Sequence, residues 1–154
     1  MRIIFLITLL FSFLSSSASY ILIPMDETQK NHLKAYGISF FVLQQDIKVD
    51  WLLNYRGGSF LMKFYKDFEN ECVIRNVTYE VIADIQANQI LSSISQPEIN
   101  QDVIRLEKEP RVAIYSPKNK QPWDDAVTLA LSYAEIDYDI VFDHEVLAGE
   151  LSKY

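Results

Sequence analysis

The chain has 154 residues, of which 49% are hydrophobic and 13% aromatic, and its formal net charge is −7. This composition excludes a disordered chain and suffices for an ordinary hydrophobic core. An acidic surface repels phosphate backbones, so nucleic acid is not an expected partner, and the single cysteine, Cys72, excludes an intramolecular disulfide.

The N-terminal segment has the pattern of a secretory leader. Arg2 precedes the apolar run 3–14, and small residues continue from there to Ser19. The pattern predicts a signal peptide over 1–18, cleaved after Ala18 or Ser19, and hence a periplasmic or extracellular protein. The alternative is a membrane anchor, but the run would form a helix of about 18 Å against roughly 30 Å of hydrocarbon core. We therefore expect no stable transmembrane anchor after processing.

Strand and helix patterns then alternate along the first half of the chain. The predicted elements are strands at 20–23, 49–55 and 79–83 and helices at 27–44 and 85–94. Asp26 and Gln29 have the spacing of a capping box at the start of the first helix, and Asp84 is the predicted N-cap of the second. The continuous apolar run 20–23 is typical of a strand that is buried on both faces.

The second half repeats the alternation after an interruption. Residues 96–110, with Pro97, form a predicted linker that contains a possible short strand at 103–106. The elements after it are strands at 112–115 and 138–142, a helix at 123–135 and a last helix from about Glu145. Such alternation predicts an α/β fold with a mainly parallel, doubly wound, flavodoxin-like sheet.

The predicted domain organisation follows from these elements. The signal peptide 1–18 precedes a first βαβαβα unit at 19–95, the linker 96–110, and the incomplete start of a second α/β unit at 111–154. Because no strand follows the last helix, an apolar sheet edge would be exposed, and we expect a longer protein that is truncated after Tyr154. The alternative is a complete small domain with a terminal helix.

Candidate ligand-binding residues lie where parallel strands would end, because ligands of such sheets bind beyond the carboxyl ends of the strands. Gly57 and Gly58 permit a close backbone approach, and Arg56 can contact a carboxylate or phosphate; the alternative is a tight turn with an exposed arginine. Lys118 and Lys120 can hold an anion. The predicted ligand-binding residues are Asp26, Asn54, Arg56, Gly57, Gly58, Ser59, Lys118 and Lys120.

A second group of candidates is the triplet Asp143, His144 and Glu145, which offers an imidazole between carboxylates for general acid/base catalysis. The alternative is that the acids cap a helix while the histidine is solvated. No second histidine stands at ligand spacing, so no metal site is predicted, and no cofactor is predicted either. Cys72 shares a helix face with Phe64 and Phe68, which favours a buried structural thiol over a nucleophile.

Three segments carry a family resemblance: 31–37, 51–60 and 120–126. They resemble a family of exported proteins from Bacteroidetes that is commonly labelled asparagine synthetase B, over essentially the whole mature chain. Members of that family continue past the equivalent of Tyr154, and the second half of this chain resembles, at the level of the fold, the flavodoxin-like fold of class I glutamine amidotransferases. Glutamine-hydrolysing asparagine synthetases use an N-terminal cysteine and a Ser-Gly-Gly-x-Asp-Ser loop, whereas this chain has Arg2 in a leader and Arg56-Gly57-Gly58-Ser59-Phe60.

Three functions are consistent with these patterns. The first is an exported binding or interaction module on an amidotransferase-like scaffold, with a small molecule or an envelope protein as its partner. The second is an amide-forming or amide-hydrolysing enzyme, as the family label implies, whose catalytic residues lie partly beyond Tyr154. The third is an envelope structural component that needs no ligand.

Overall fold

The computed structural model describes residues 18–96, 98–117 and 126–154. The strands are β1 (Ala18–Ile23), β2 (Val49–Leu53), β3 (Ser59–Lys63), β4 (Glu80–Ala83), β5 (Asp102–Leu106), β6 (Ala113–Tyr115) and β7 (Asp139–Val141). The helices are α1 (His32–Gln44), α2 (Lys66–Ile74), α3 (Asp84–Ile94), α4 (Ala126–Ala134) and α5 (Asp143–Leu147), and a 3₁₀ helix (Glu150–Lys153) follows α5.

The main sheet has five strands in the order β4-β1-β3-β2-β5, and each strand is antiparallel to its neighbours. Helix α1 connects β1 to β2, which run in the same direction on either side of β3. Helix α2 connects β3 to β4, which likewise run in the same direction, on either side of β1. These first four strands have the split βαβ arrangement of ferredoxin-like folds. The predicted mainly parallel, doubly wound, flavodoxin-like sheet is therefore wrong.

A hairpin that the sequence analysis missed causes this difference. Strand β2 ends at Leu53, and the chain turns and returns as β3, so that Trp51 lies opposite Phe60. The turn contains Gly57 at φ +81° and Gly58 at φ +94°, conformations that residues with a Cβ rarely adopt. Because β3 returns antiparallel to β2, the strands β3 and β4 run in one direction and the strands β1 and β2 run in the opposite direction.

The sheet is covered on both faces. Helices α1 and α2 pack on one face, where Ile21, Ile23, Val49, Phe60 and Met62 meet Ala35, Ile38, Val42, Phe68 and Cys72. Helix α3 covers the other face, where Leu22, Leu52, Leu61 and Ile82 meet Ala87 and Ile94. Successive β1 residues point to opposite faces, and both faces are buried, as the continuous apolar run predicts.

The first helix begins later than predicted. Its N-cap is Asn31, whose Oδ1 accepts a hydrogen bond from the Lys34 backbone N–H at 3.2 Å. Gln29 is buried, donates to the Pro24 carbonyl at 2.7 Å and accepts from the Thr78 N–H at 2.9 Å. Gln29, a predicted capping residue, thus holds the β1–α1 loop against the residues just before β4.

A small second layer lies against α1. Strands β6 and β7 are parallel and are connected through α4, and the predicted linker supplies β5, which pairs with β2 at the edge of the main sheet. A Cβ added to Gly37 of α1 would lie 1.7 Å from the carbonyl oxygen of Ala134. Glycine at this position therefore lets the end of α4 contact the backbone of α1 directly.

Candidate functional site

The structure brings together two of the predicted ligand-binding side chains, Asp26 and Arg56. Arg56 Nε donates to Asp26 Oδ2 at 2.7 Å, and Arg56 Nη1 donates to Glu80 Oε1 at 2.6 Å. The Thr28 backbone N–H donates to Asp26 Oδ1 at 3.1 Å. These four residues form a polar cluster at the end of the sheet where β1 and β2 end and β4 begins, and we call it the Arg56 cluster.

The backbone fixes the Arg56 cluster in place. The Met25 N–H donates to the Arg56 carbonyl at 3.0 Å, and Arg56 itself has a φ of +45°. A Cβ on Gly57 would lie 2.4 Å from the Met25 carbonyl oxygen. The β2–β3 turn and the β1–α1 loop are therefore in backbone contact, which leaves no room for a side chain at position 57.

The electrostatics of the cluster are satisfied internally. The pKa of Asp26 is lowered to about 2, first by the hydrogen bond from the Thr28 side chain and then by the one from Arg56. The pKa of Arg56 is raised by its hydrogen bonds to Asp26 and Glu80. A ligand carboxylate or phosphate would have to compete with two protein carboxylates for this guanidinium. The arrangement fits a structural ion pair better than an open anion site.

The other predicted ligand-binding residues do not join this cluster. Asn54 donates from Nδ2 to the Asn100 carbonyl at 2.9 Å, and the buried Ser59 hydroxyl donates to the Tyr55 carbonyl at 3.0 Å. Asp84, the predicted N-cap of the second helix, lies at the opposite end of the sheet, because β4 runs antiparallel to β1. Lys118 and Lys120 lie outside the described residues.

The triplet Asp143, His144 and Glu145 lies at the start of α5 in the second layer. Glu145 Oε2 accepts from the Phe142 backbone N–H at 2.8 Å, which is a helix-capping contact, and Asp143 Oδ1 accepts from the Tyr115 hydroxyl at 2.6 Å. His144 lies 2.8 Å from Glu145, with 78% of its side chain exposed. This geometry matches the capping alternative for Glu145 and for the exposed His144, whereas Asp143 binds the Tyr115 hydroxyl instead of capping the helix.

Cys72 has the environment of a structural thiol. Its side chain is fully buried in α2, and burial raises the pKa of the thiol to about 12. A thiolate nucleophile is disfavoured there. Within residues 18–96, 98–117 and 126–154, no group of three or more histidine, cysteine, aspartate or glutamate residues is placed to hold a metal ion.

An apolar groove, absent from the sequence analysis, lies between α1, the main sheet and the second layer. Its volume is about 260 Å³. It is lined by Tyr36, Ser39, Phe40, Leu43, Trp51, Phe60, Leu106, Pro110, Val112, Leu131 and Ile136. Three of these form an aromatic wall: the rings of Tyr36 and Phe60 meet edge to face at 5.4 Å, and those of Trp51 and Phe60 stack at 6.3 Å.

Two polar side-chain groups of the groove have partners inside the protein. Trp51 Nε1 donates to the Gly58 carbonyl at 3.1 Å, and the Ser39 hydroxyl donates to the Ala35 carbonyl at 3.3 Å. None of the lining residues is charged. The groove thus offers an uncharged and largely apolar surface.

No protein-family model, curated protein or solved structure matches this chain. Among the described helices, none is both long and apolar enough to cross a membrane.

Proposed function

We propose that this chain is an exported binding module that holds a small, neutral, apolar compound in the groove between α1 and the second layer. The observation that carries the proposal is the groove itself, in which aromatic and aliphatic side chains from both layers line one concave surface. Burial of apolar ligand surface against such walls contributes about 25 cal/mol for each Å² removed from water.

The volume of the groove limits the size of the ligand. Its volume of about 260 Å³ is just below the roughly 300–1,000 Å³ of most ligand pockets and above the roughly 150 Å³ of a cavity that accepts benzene. A compound with one ring and a short substituent fits this space.

The side chains that line the groove limit the charge of the ligand. A charged compound would lose its hydration without gaining a partner, because the lining residues carry no charge. A ring placed against Trp51 or Phe60 would gain about 0.5–1.5 kcal/mol beyond simple burial.

The test is thermal unfolding of the mature chain with three ring compounds of similar size: benzyl alcohol, benzoate and benzylamine. We expect benzyl alcohol at about ten times its Kd to raise Tm by roughly 3 °C, because a ligand of the native state stabilises it. Benzoate and benzylamine should give no shift at the same concentration. Equal shifts with all three compounds, or no shift with any, would contradict the proposal.

A filled groove is the second arm of the experiment. The Val112→Phe variant places a larger side chain in the groove and should remove the benzyl alcohol shift. The matched control is Val73→Phe, a site on α2 that is 63% exposed and outside the groove. The control should keep the shift; if both variants keep it, the compound binds elsewhere.

A further inference from the structure

Leu131 and Ile136 line the groove from the second layer, and the last turn of α4 joins them. The Ile136 N–H donates to the Leu131 carbonyl at 3.0 Å, and the Glu135 N–H donates to the Ser132 carbonyl at 3.2 Å. These two bonds form a Schellman motif at the end of the helix. Because the turn is closed by hydrogen bonds, Leu131 and Ile136 are held in a fixed relation to Glu135, which lies between them.

Glu135 occupies the position of this motif that usually belongs to glycine. Its φ is +60°, in the left-handed region that is unfavourable for a residue with a side chain. The side chain makes two contacts outside its own layer. One carboxylate oxygen accepts a hydrogen bond from Lys34 of α1, and the other lies 3.2 Å from Nε of Arg75, just after α2. The carboxylate therefore connects this wall of the groove to the helices of the main sheet.

The two cations that Glu135 contacts are largely buried. The side chain of Lys34 is 15% exposed and that of Arg75 is 10% exposed. Arg75 Nε also donates to Glu71 at 2.9 Å, but its Nη1 is buried and has no hydrogen-bond partner among the described residues. A buried charge that loses one of its partners is costly, so both cations favour the position in which Glu135 lies against them.

We propose that Glu135 is a positioning residue for the groove: its ion pairs hold Leu131 and Ile136 in place, and the docked second layer retains the bound compound. This inference rests on the proposed function. A compound in the groove contacts the main sheet and the second layer together only while the second layer is docked, so its binding favours the docked state. Ligand binding and docking of the second layer are therefore coupled.

The first test measures this coupling by amide exchange of the mature chain, without ligand and with benzyl alcohol at about ten times its Kd. We expect exchange of the α4 amides to slow about tenfold, because the compound binds the docked state and these amides exchange from the open one. If benzyl alcohol raises Tm but leaves α4 exchange unchanged, the coupling is overturned and the proposed function stands. If benzyl alcohol changes neither Tm nor exchange, both are overturned.

The second test examines Glu135 in the absence of ligand. Glu135→Gln keeps the size of the side chain and removes its charge. We expect α4 exchange to quicken about three- to fivefold, while β1 and β3 keep their exchange rates. The matched control is Glu150→Gln, which removes a carboxylate that pairs with Lys153 inside the second layer and should leave α4 exchange unchanged. Equal α4 exchange in the two variants, or an equal quickening of β1 and β3 in Glu135→Gln, would overturn the positioning role.

Discussion

The main sheet with its three helices buries its apolar residues more completely than the second layer does. In the main sheet unit, residues 18–106, both faces are covered, and Ile21, Ile23, Leu52 and Leu61 are at most 1% exposed. In the second layer, residues 113–154, Leu129 is 61% and Leu147 is 87% exposed. The first unit therefore carries its own core, whereas the second depends on its contact with α1.

Polar contacts at that junction support the same conclusion. Glu135, just after α4, accepts a hydrogen bond from Lys34 of α1, and its other oxygen lies 3.2 Å from Arg75 Nε. Asn31 Nδ2 donates to the Tyr133 hydroxyl at 2.7 Å. Ion pairs with exposed partners contribute little stability, so the direct backbone contact at Gly37 is the firmer part of the junction. We expect the second layer to open at a lower free-energy cost than the main sheet.

The largest expected effect is on the reactivity of Cys72. With a thiol pKa raised to about 12, its thiolate fraction near pH 8 should be lower than that of an unfolded thiol by about 10³-fold, and iodoacetamide alkylation should slow accordingly. At a urea concentration that opens α4, measured by amide exchange, Cys72 should stay protected. Alkylation that rises together with α4 exchange would show that the two units open as one.

Core truncation gives the next largest effect. Leu61→Ala should lower the free energy of unfolding by about 2–5 kcal/mol, because it leaves a cavity under α3 in the packed face of the sheet. Leu147→Ala, the same change at an exposed position of the second layer, should change it by less than about 0.5 kcal/mol. Urea unfolding measures both. Similar losses would contradict the difference in burial between the two units.

Gly37→Ala tests the junction between the units. By helix propensity alone the change should stabilise α1 by about 1 kcal/mol, but the clash with the Ala134 carbonyl predicts a net loss of about 1–3 kcal/mol. Amide exchange should quicken first in α4 and β7, while β1 and β3 keep their protection. Ser92→Ala, an exposed site in α3, is the control and should be neutral or slightly stabilising. A stabilised Gly37→Ala would refute the close contact.

The smallest expected effect is the acid response of the Arg56 cluster. The pKa of Asp26 is depressed in the folded chain to about 2, so its contribution to stability is present above about pH 4 and is lost as the pH falls towards 2. Urea midpoints should therefore fall less steeply across this range in Asp26→Asn than in the unmodified chain. Glu98→Gln, at an exposed site, should follow the unmodified chain. If the urea midpoints of the unmodified chain and both variants change in parallel with pH, Asp26 makes no such contribution to stability.

The sequence predicts the individual elements better than their arrangement. The buried strand at 20–23, the burial of Cys72 and the α/β content are found in the structure, and the parallel βαβ pattern is found in β6, α4 and β7. The main error is the absence of β3. Gly57-Gly58 between two apolar runs is a hairpin signal, whereas the prediction places the end of a strand and a ligand loop there.

The positions of the candidate residues follow from that error. Asp26 and Arg56 meet because β1 and β2 run in the same direction, so the loops after them share one end of the sheet. Asp84 follows an antiparallel strand and lies at the other end, while Glu80, at the start of β4, joins the Arg56 cluster instead. The groove could not be predicted, since it needs Phe60, from the unpredicted strand, and Leu131, from the second layer, to face each other across a long sequence separation.

Helix α1 belongs to both units at once. Its buried positions include Ala35, Ile38 and Val42 towards the sheet, and also Gly37, Ser39 and Phe40, so no single stripe of the helix faces solvent along its length. In a library of single substitutions, α1 should therefore tolerate change poorly at its buried positions on both sides and better at the exposed His32, Leu33, Tyr36 and Gln44. Replacing the α1 residues that face the second layer with polar ones is therefore a route to an independent main sheet unit.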